Sequence, residues 1–255
     1  MIGRSYAIAL NTFKETIRDR VLSVIVVFAL AMIAASLWLA SISLDEQARM
    51  MKDFGLAAVT LFGLVVAVFA AGNLVRKEME KRTVFVIFSK PVGRGVFIAG
   101  KFLGLALTVF LVVMGMGLFL FLVTWLVAHD VAGYILIATL LIYVQVVVVM
   151  AVTVFFSTFA SALLSSVLGV CVFIAGQLSH NVLSLTRLGE SEVFRALSWA
   201  VFVAIPNLAA VDVKPAVVGE GAIDLGELAL WLGYLVAYVI VALLAASWIF
   251  RRREF

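Results

Sequence analysis

Of 255 residues, 65% are apolar and 13% charged, against about 45–50% and about 25% in an ordinary soluble domain. That surplus, with a mean hydropathy of +1.21, excludes a water-soluble globule and a disordered chain, and it leaves lipid as the solvent. The net charge of +4 is carried beside the apolar runs, so it speaks for membrane topology and not for nucleic acid.

Residues 1–20 read as an amphipathic helix lying in the headgroup region. Ile2, Tyr6, Leu10, Phe13 and Ile17 recur at steps of three and four, with Arg4, Asn11, Lys14, Glu15, Arg18 and Asp19 on the other arc. The segment is too polar for a signal-peptide core, so the first span is expected to stay as an anchor. At roughly 20 residues per crossing, spans are predicted over Val21–Leu44, Phe54–Val75, Phe102–Ala128, Val131–Phe156, Ala162–Leu178 and Leu228–Phe250. Polar loops are expected at Asp45–Asp53 and at 76–101, a tight join at His129–Asp130, an uncharged turn at Ser157–Ser161, and a mixed loop at 179–227. Val193–Ile205, 13 residues ending at Pro206, is short for a crossing and reads as a re-entrant or interfacial helix. The fold class is therefore an all-α integral membrane protein of one domain, 1–255, with six transmembrane helices.

Cations set the orientation. With the N-terminus inside, the inner segments hold four Lys/Arg in 1–20, seven in 76–101 and three in 251–255, and the outer segments hold five of the 19. This asymmetry places both termini in the cytoplasm.

The spans carry no Asp, Glu, Arg or His at depth, which argues against a self-powered, ion-coupled transporter. Thr60, Asn73, Gln145, Thr153 and Gln177 are milder buried groups, for which hydrogen bonding between helices is the reading. Cys171, alone in an apolar run, reads as a packing residue. Its solitude excludes an intrachain disulfide. His129 and His180 are remote from each other, and no three or four ligands converge for zinc. Gly95–Lys101 has the spacing G-x-x-x-x-G-K, but Phe102 replaces the hydroxyl that would bind Mg²⁺; Gly100 and Gly104 form instead a small-xxx-small packing face. Ser165, Ser166 and His180 make at best a remote dyad, and paired acids for lipid chemistry are lacking.

The inner loop carries the signal. Residues 76–101 read RKEMEKRTVFVIFSKPVGRGVFIAGK. A charged extension ends at Thr83, a fair N-cap, before the apolar run Val84–Phe88; Pro91 and Gly93 close the element, with Arg94 in the turn. Left in water, each large side chain of the run would be unfavourable by up to ~2 kcal/mol relative to burial, so the run must fit under its own bundle or into a partner, with the flanking charges as a polar rim.

The pattern E-x-E-x-x-T at Glu78–Thr83, an apolar run, S-K-P-V-x-R at Ser89–Arg94 and Gly100-Lys101 resembles the first cytoplasmic loop of type-2 ABC exporter permeases. The basic amphipathic N-terminus, Ile205-Pro206-Asn207-Leu208 before the last span, and the ending Ile249–Phe255 with three arginines resemble the same family, closest to the branch that includes the nitrous-oxide-reductase maturation permease. The resemblance implies a multi-pass subunit of the bacterial cytoplasmic (inner) membrane, paired with a second copy or paralogue and driven by a cytosolic ABC ATPase. That ATPase would bind ATP and Mg, with no cofactor in this chain and no enzymatic activity of its own. It also implies that Glu78, Glu80, Arg82, Thr83, Val84, Phe85, Phe88 and Arg94 form the ATPase-coupling element, and that Ser157, Thr158 and Ser161 belong to a second cytoplasmic contact. The outer loop would cap the path or meet a periplasmic partner. The uncharged spans suit a hydrophobic or amphipathic cargo; a non-transporting scaffold subunit is the rival reading.

Overall fold

The computed structural model describes residues 44–74, 94–128, 133–179, 205–213 and 225–252, together with Leu10, Thr12, Phe13 and positions 27, 28, 30–32, 34, 35 and 38. Among these residues all regular structure is helical: α1 Leu44–Gly72, α2 Arg94–Ala128, α3 Tyr134–Ser157, α4 Ala162–Gln177, one 3-10 turn at Ala209–Val211, and α5 Leu225–Arg252. Arg49–Gly72, Ile98–Val127, Tyr134–Ser157 and Gly226–Ile249 are each long and apolar enough to cross a membrane. The chain is a multi-pass membrane protein. The described positions between 27 and 38 are helical too, and Phe28 and Met32, one turn apart, are buried.

Two boundaries differ from the sequence expectation. Asp45–Asp53, expected as a loop, lies inside α1: it contains neither Gly nor Pro and is rich in helix formers. Arg94, expected in a turn, opens α2, so residues 94–101 are helix and not loop. Burial of Ile98, Phe102 and Leu105, at helical spacing, holds those turns, and Lys101 is buried with them. A continuous helix over Gly95–Lys101 also cannot wrap a phosphate as a loop would.

Helix α3 is the centre of the bundle. It packs against α1, α2, α4 and α5, and 67% of its span is buried against 6% for α5. Its buried face joins Leu56, Val59, Val113, Met116 and Leu120 of α1 and α2. Phe28 meets Phe62 and Phe119 edge-on at 6.0 and 6.4 Å. Helices consecutive along α1–α4 run antiparallel: Gly55 faces Leu120, Gly63 faces Val113, Gly117 faces Thr139 and Gly169 faces Thr153, while α5 runs parallel to α3, its first turns beside Val144 and Val148 and its later ones beside Val152 and Phe156. The beginnings of α1, α3 and α5 therefore share one end of the bundle with the end of α2. The end of α1, the beginning of α2, the α3–α4 turn and the end of α5 share the other.

Most mid-span hydroxyls are satisfied within their own helix. Thr60 donates to the Leu56 carbonyl (2.7 Å), Thr153 to Val149 (2.9 Å), and the Asn73 amide to Phe69 (2.9 Å). This corrects the expectation of bonds between helices for these three: the carbonyl one turn back is the nearest acceptor. Interhelical bonds come from Ser166 to Val68 (3.3 Å), Tyr143 to Ala106 (3.3 Å) and Gln177 to Gln145 (3.1 Å). Cys171 is a further correction, since it is exposed on the outer face of α4 and not packed.

Candidate functional site

Helix α4 is unusual in its length. Its 16 residues rise about 24 Å, while α3 with 24 residues rises about 36 Å. The two are joined by the turn at 158–161 and run antiparallel, so the last residue of α4, Gln177, is level with Gln145 at the middle of α3. The carbonyls that end a helix need partners, and here they end at mid-span, where water is scarce.

The segment 205–213 supplies those partners. Leu208 N–H donates to the Gly176 carbonyl at 3.2 Å, and the Gln145 amide donates to the Leu208 carbonyl at 3.2 Å. Gln177 Nε2 donates to Gln145 Oε1 at 3.1 Å. The Ser179 hydroxyl lies 2.8 Å from the Gly176 carbonyl and 2.7 Å from Asn207 Oδ1, and Asn207 Oδ1 also accepts the Ala210 N–H at 3.3 Å. Gln145, Leu208 and Val211 are almost wholly buried. Only glycine fits at 176: a Cβ there would lie 2.7 Å from the Pro206 carbonyl oxygen. Non-helical backbone at this depth is tolerated where protein surrounds it and its polar groups are paired. The arrangement is a clamp that seats a short loop on the truncated end of α4, and the 3-10 turn within that loop packs on α5.

The second predicted site is the α3–α4 turn. Ser157 and Thr158 are buried, and their hydroxyls donate to the Val154 and Phe155 carbonyls, both at 2.7 Å. Ser161 is the N-cap of α4, its hydroxyl accepting the Leu164 N–H at 3.3 Å. These three side chains shape the turn. What the turn presents outward is aromatic: Phe155, Phe156 and Phe159 form a ring triad with centroids 5.5–5.8 Å apart, and Phe159 is about half exposed (48%). The sequence signal was the cluster Phe155-Phe156-x-x-Phe159, which polarity-based reading passes over. Beside it, a cavity of about 340 Å³ opens between α3, α4 and α5, lined by Val152, Phe155, Phe156, Val172, Tyr238 and Ala242, among others.

Glu78, Glu80, Arg82, Thr83, Val84, Phe85 and Phe88 lie outside the described residues, as do His180, the side chain of Arg94 and nearly all of Val193–Ile205. The Ser165 hydroxyl bonds the Ser161 carbonyl at 2.8 Å, and that of Ser166 bonds the Ala162 carbonyl at 2.9 Å. Among the described residues no group of three His, Cys, Asp or Glu converges to hold a metal. No protein-family model and no curated protein matches this chain.

Proposed function

We propose that this chain is the membrane-spanning permease subunit of an ABC-type transporter, taking force from a separate cytosolic ATPase through the loop between α1 and α2. One observation carries the reading: the apolar run Val84–Phe88 between Glu78-x-Glu80-x-x-Thr83 and Ser89-Lys90-Pro91-Val92-x-Arg94, in a chain whose G-x-x-x-x-G-K spacing lies within a helix. Three further features support it. The end of α1 and the beginning of α2 flank this loop, so a push on it acts on two helices that pack on the central α3. The aromatic α3–α4 turn is at the same end of the bundle. The described spans carry charged residues only near their ends, so the energy for work must come from outside the chain.

The test is co-purification with the ATPase encoded beside it. Replacing Val84, Phe85 and Phe88 by Asp puts three charges into an apolar socket, and ATPase recovery is expected to fall at least tenfold while the permease stays folded. Undiminished recovery would refute the coupling role. ATP-dependent flux in vesicles separates a transporter from a scaffold.

A further inference from the structure

We propose that the cleft between α4 and α5 is a site for one anionic phospholipid, with an acyl chain in the cleft and the phosphate at the arginines that end α5. Helices α4 and α5 both pack on α3 but scarcely on each other. Toward the beginning of α5 the gap between them is filled: Leu208 and Val211 pack there with Val148, Val170, Phe173 and Leu232. Toward the end of α5 the gap is left as the cavity of about 340 Å³, with Val152 and Phe156 of α3 as its floor, Val172 on one wall, and Tyr238, Ala242 and Ala245 on the other.

Depth and size select the occupant. Tyr238 is at the middle of the crossing Gly226–Ile249, and Ala245 lies seven residues, about 10 Å, nearer its end. The cavity therefore follows one leaflet, whose hydrocarbon is about 15 Å deep. Spread over about 10 Å, 340 Å³ leaves a mean cross-section of about 34 Å², against about 80 Å² for a helix of 10 Å diameter. A helix of this chain or of a second copy is too thick to enter; a single acyl chain is not. The span before α1 is engaged elsewhere, with Phe28 against Phe62 and Phe119. Walls left unfilled lose their dispersion contacts on one side, and hydrocarbon from the surrounding leaflet restores them.

Charge at the mouth sets the headgroup. By helical register, position 252 continues the stripe of Tyr238, Val241, Ala242 and Ala245, two turns beyond the cavity and just past the end of the span. Arg251, Arg252 and Arg253, followed by one acid, Glu254, leave an excess of positive charge at headgroup level. A basic cluster at the mouth of a gap between membrane helices suits an anionic lipid. This assignment stands apart from the ATPase reading, since the site needs neither nucleotide nor partner.

The test uses the full chain in phosphatidylcholine nanodiscs containing a small fraction of photo-lipid, either phosphatidylglycerol or phosphatidylcholine with a diazirine near the end of one acyl chain. Light expels N₂, and the carbene inserts into a neighbouring C–H or O–H bond, which leaves the lipid's mass on the peptide. Label from phosphatidylglycerol is expected on Val152, Phe156 or Tyr238, at least about fivefold above that on Val236 and Ile240, which are exposed on α5 at similar depth. Ala242→Phe fills the cleft and should cut the cleft label about tenfold. Arg251→Gln and Arg252→Gln, outside the bundle, should each cut the phosphatidylglycerol label about fivefold and leave the phosphatidylcholine label unchanged. Label spread evenly over the cleft and Val236, equal label from the two lipids, or undiminished label in Ala242→Phe would overturn the proposal. So would an unlabelled cleft, the result if a segment of this chain or a second copy covers it.

Discussion

At the scale of single residues, the buried polar groups divide into two kinds with different expected costs. Thr60 and Thr153 bond carbonyls of their own helix, which remain bonded to backbone N–H groups when the hydroxyl is lost. Thr60→Val and Thr153→Val should therefore change stability by less than about 1 kcal/mol. Gln145 is different: its amide serves the Leu208 carbonyl, and its oxygen serves Gln177. Gln145→Leu strands both at mid-span, where water cannot replace the lost partner. The average hydrogen bond between membrane helices is worth about 0.6 kcal/mol, but an orphaned buried carbonyl costs about 1–3 kcal/mol. The second figure governs here, so Gln145→Leu should destabilise by about 1–3 kcal/mol in detergent-unfolding midpoints. It should also raise the labelling rate of a cysteine at Asn207. Equal costs for Gln145→Leu and Thr153→Val would show that 205–213 is held by its apolar contacts alone.

At the scale of elements, glycine lets α4 cross close to α1. A Cβ on Gly72 would meet the Ser166 hydroxyl and lie 2.8 Å from the Ala162 carbonyl oxygen. A hydroxyl can rotate away, but a helix backbone cannot, so Gly72→Val must separate the two helices. A loss of about 1–3 kcal/mol is expected, as for other overpacked cores. Gly233 of α5 gives the opposite sign: nothing lies within 4 Å of its would-be Cβ, and Gly233→Ala should stabilise by up to ~1 kcal/mol through helix propensity. Thermal unfolding of the two variants side by side checks both signs. The sequence made the helices legible through hydrophobicity, with α3 and α4 predicted to within about three residues at each end. It misplaced the start of α1 because charge reads as loop, whereas a charged helix continues beyond the bilayer without difficulty. Gln145 and Gln177 were legible as polar residues in apolar runs. Their joint role was not, because it depends on α4 stopping halfway and on a segment about 30 residues further along the chain filling the gap. Hydropathy shows neither. The aromatic turn was missed for a related reason: its polar letters, Ser157 and Thr158, fold inward, and its phenylalanines face out.

At the scale of the whole molecule, antiparallel packing sorts the chain into two ends. One end has the beginning of α1, the α2–α3 join and the beginning of α5. The other has the α1–α2 connection, the α3–α4 turn and the end of α5. The cation count groups the connections the same way: 76–101 with seven Lys/Arg and 251–255 with three on one side, and 45–53 with two on the other. Retention of Lys and Arg on the cytoplasmic side is the strongest determinant of orientation in short loops. The second end should therefore be cytoplasmic. In a Cys171→Ser background, a cysteine at Glu220 should react with a membrane-impermeant maleimide on intact cells. A cysteine at Glu80 should react only after permeabilisation. Reversal of the two would place Val84–Phe88 where no cytosolic ATPase can reach it and would remove the coupling proposal. The clamp would survive, since its hydrogen bonds are indifferent to which side the loop comes from.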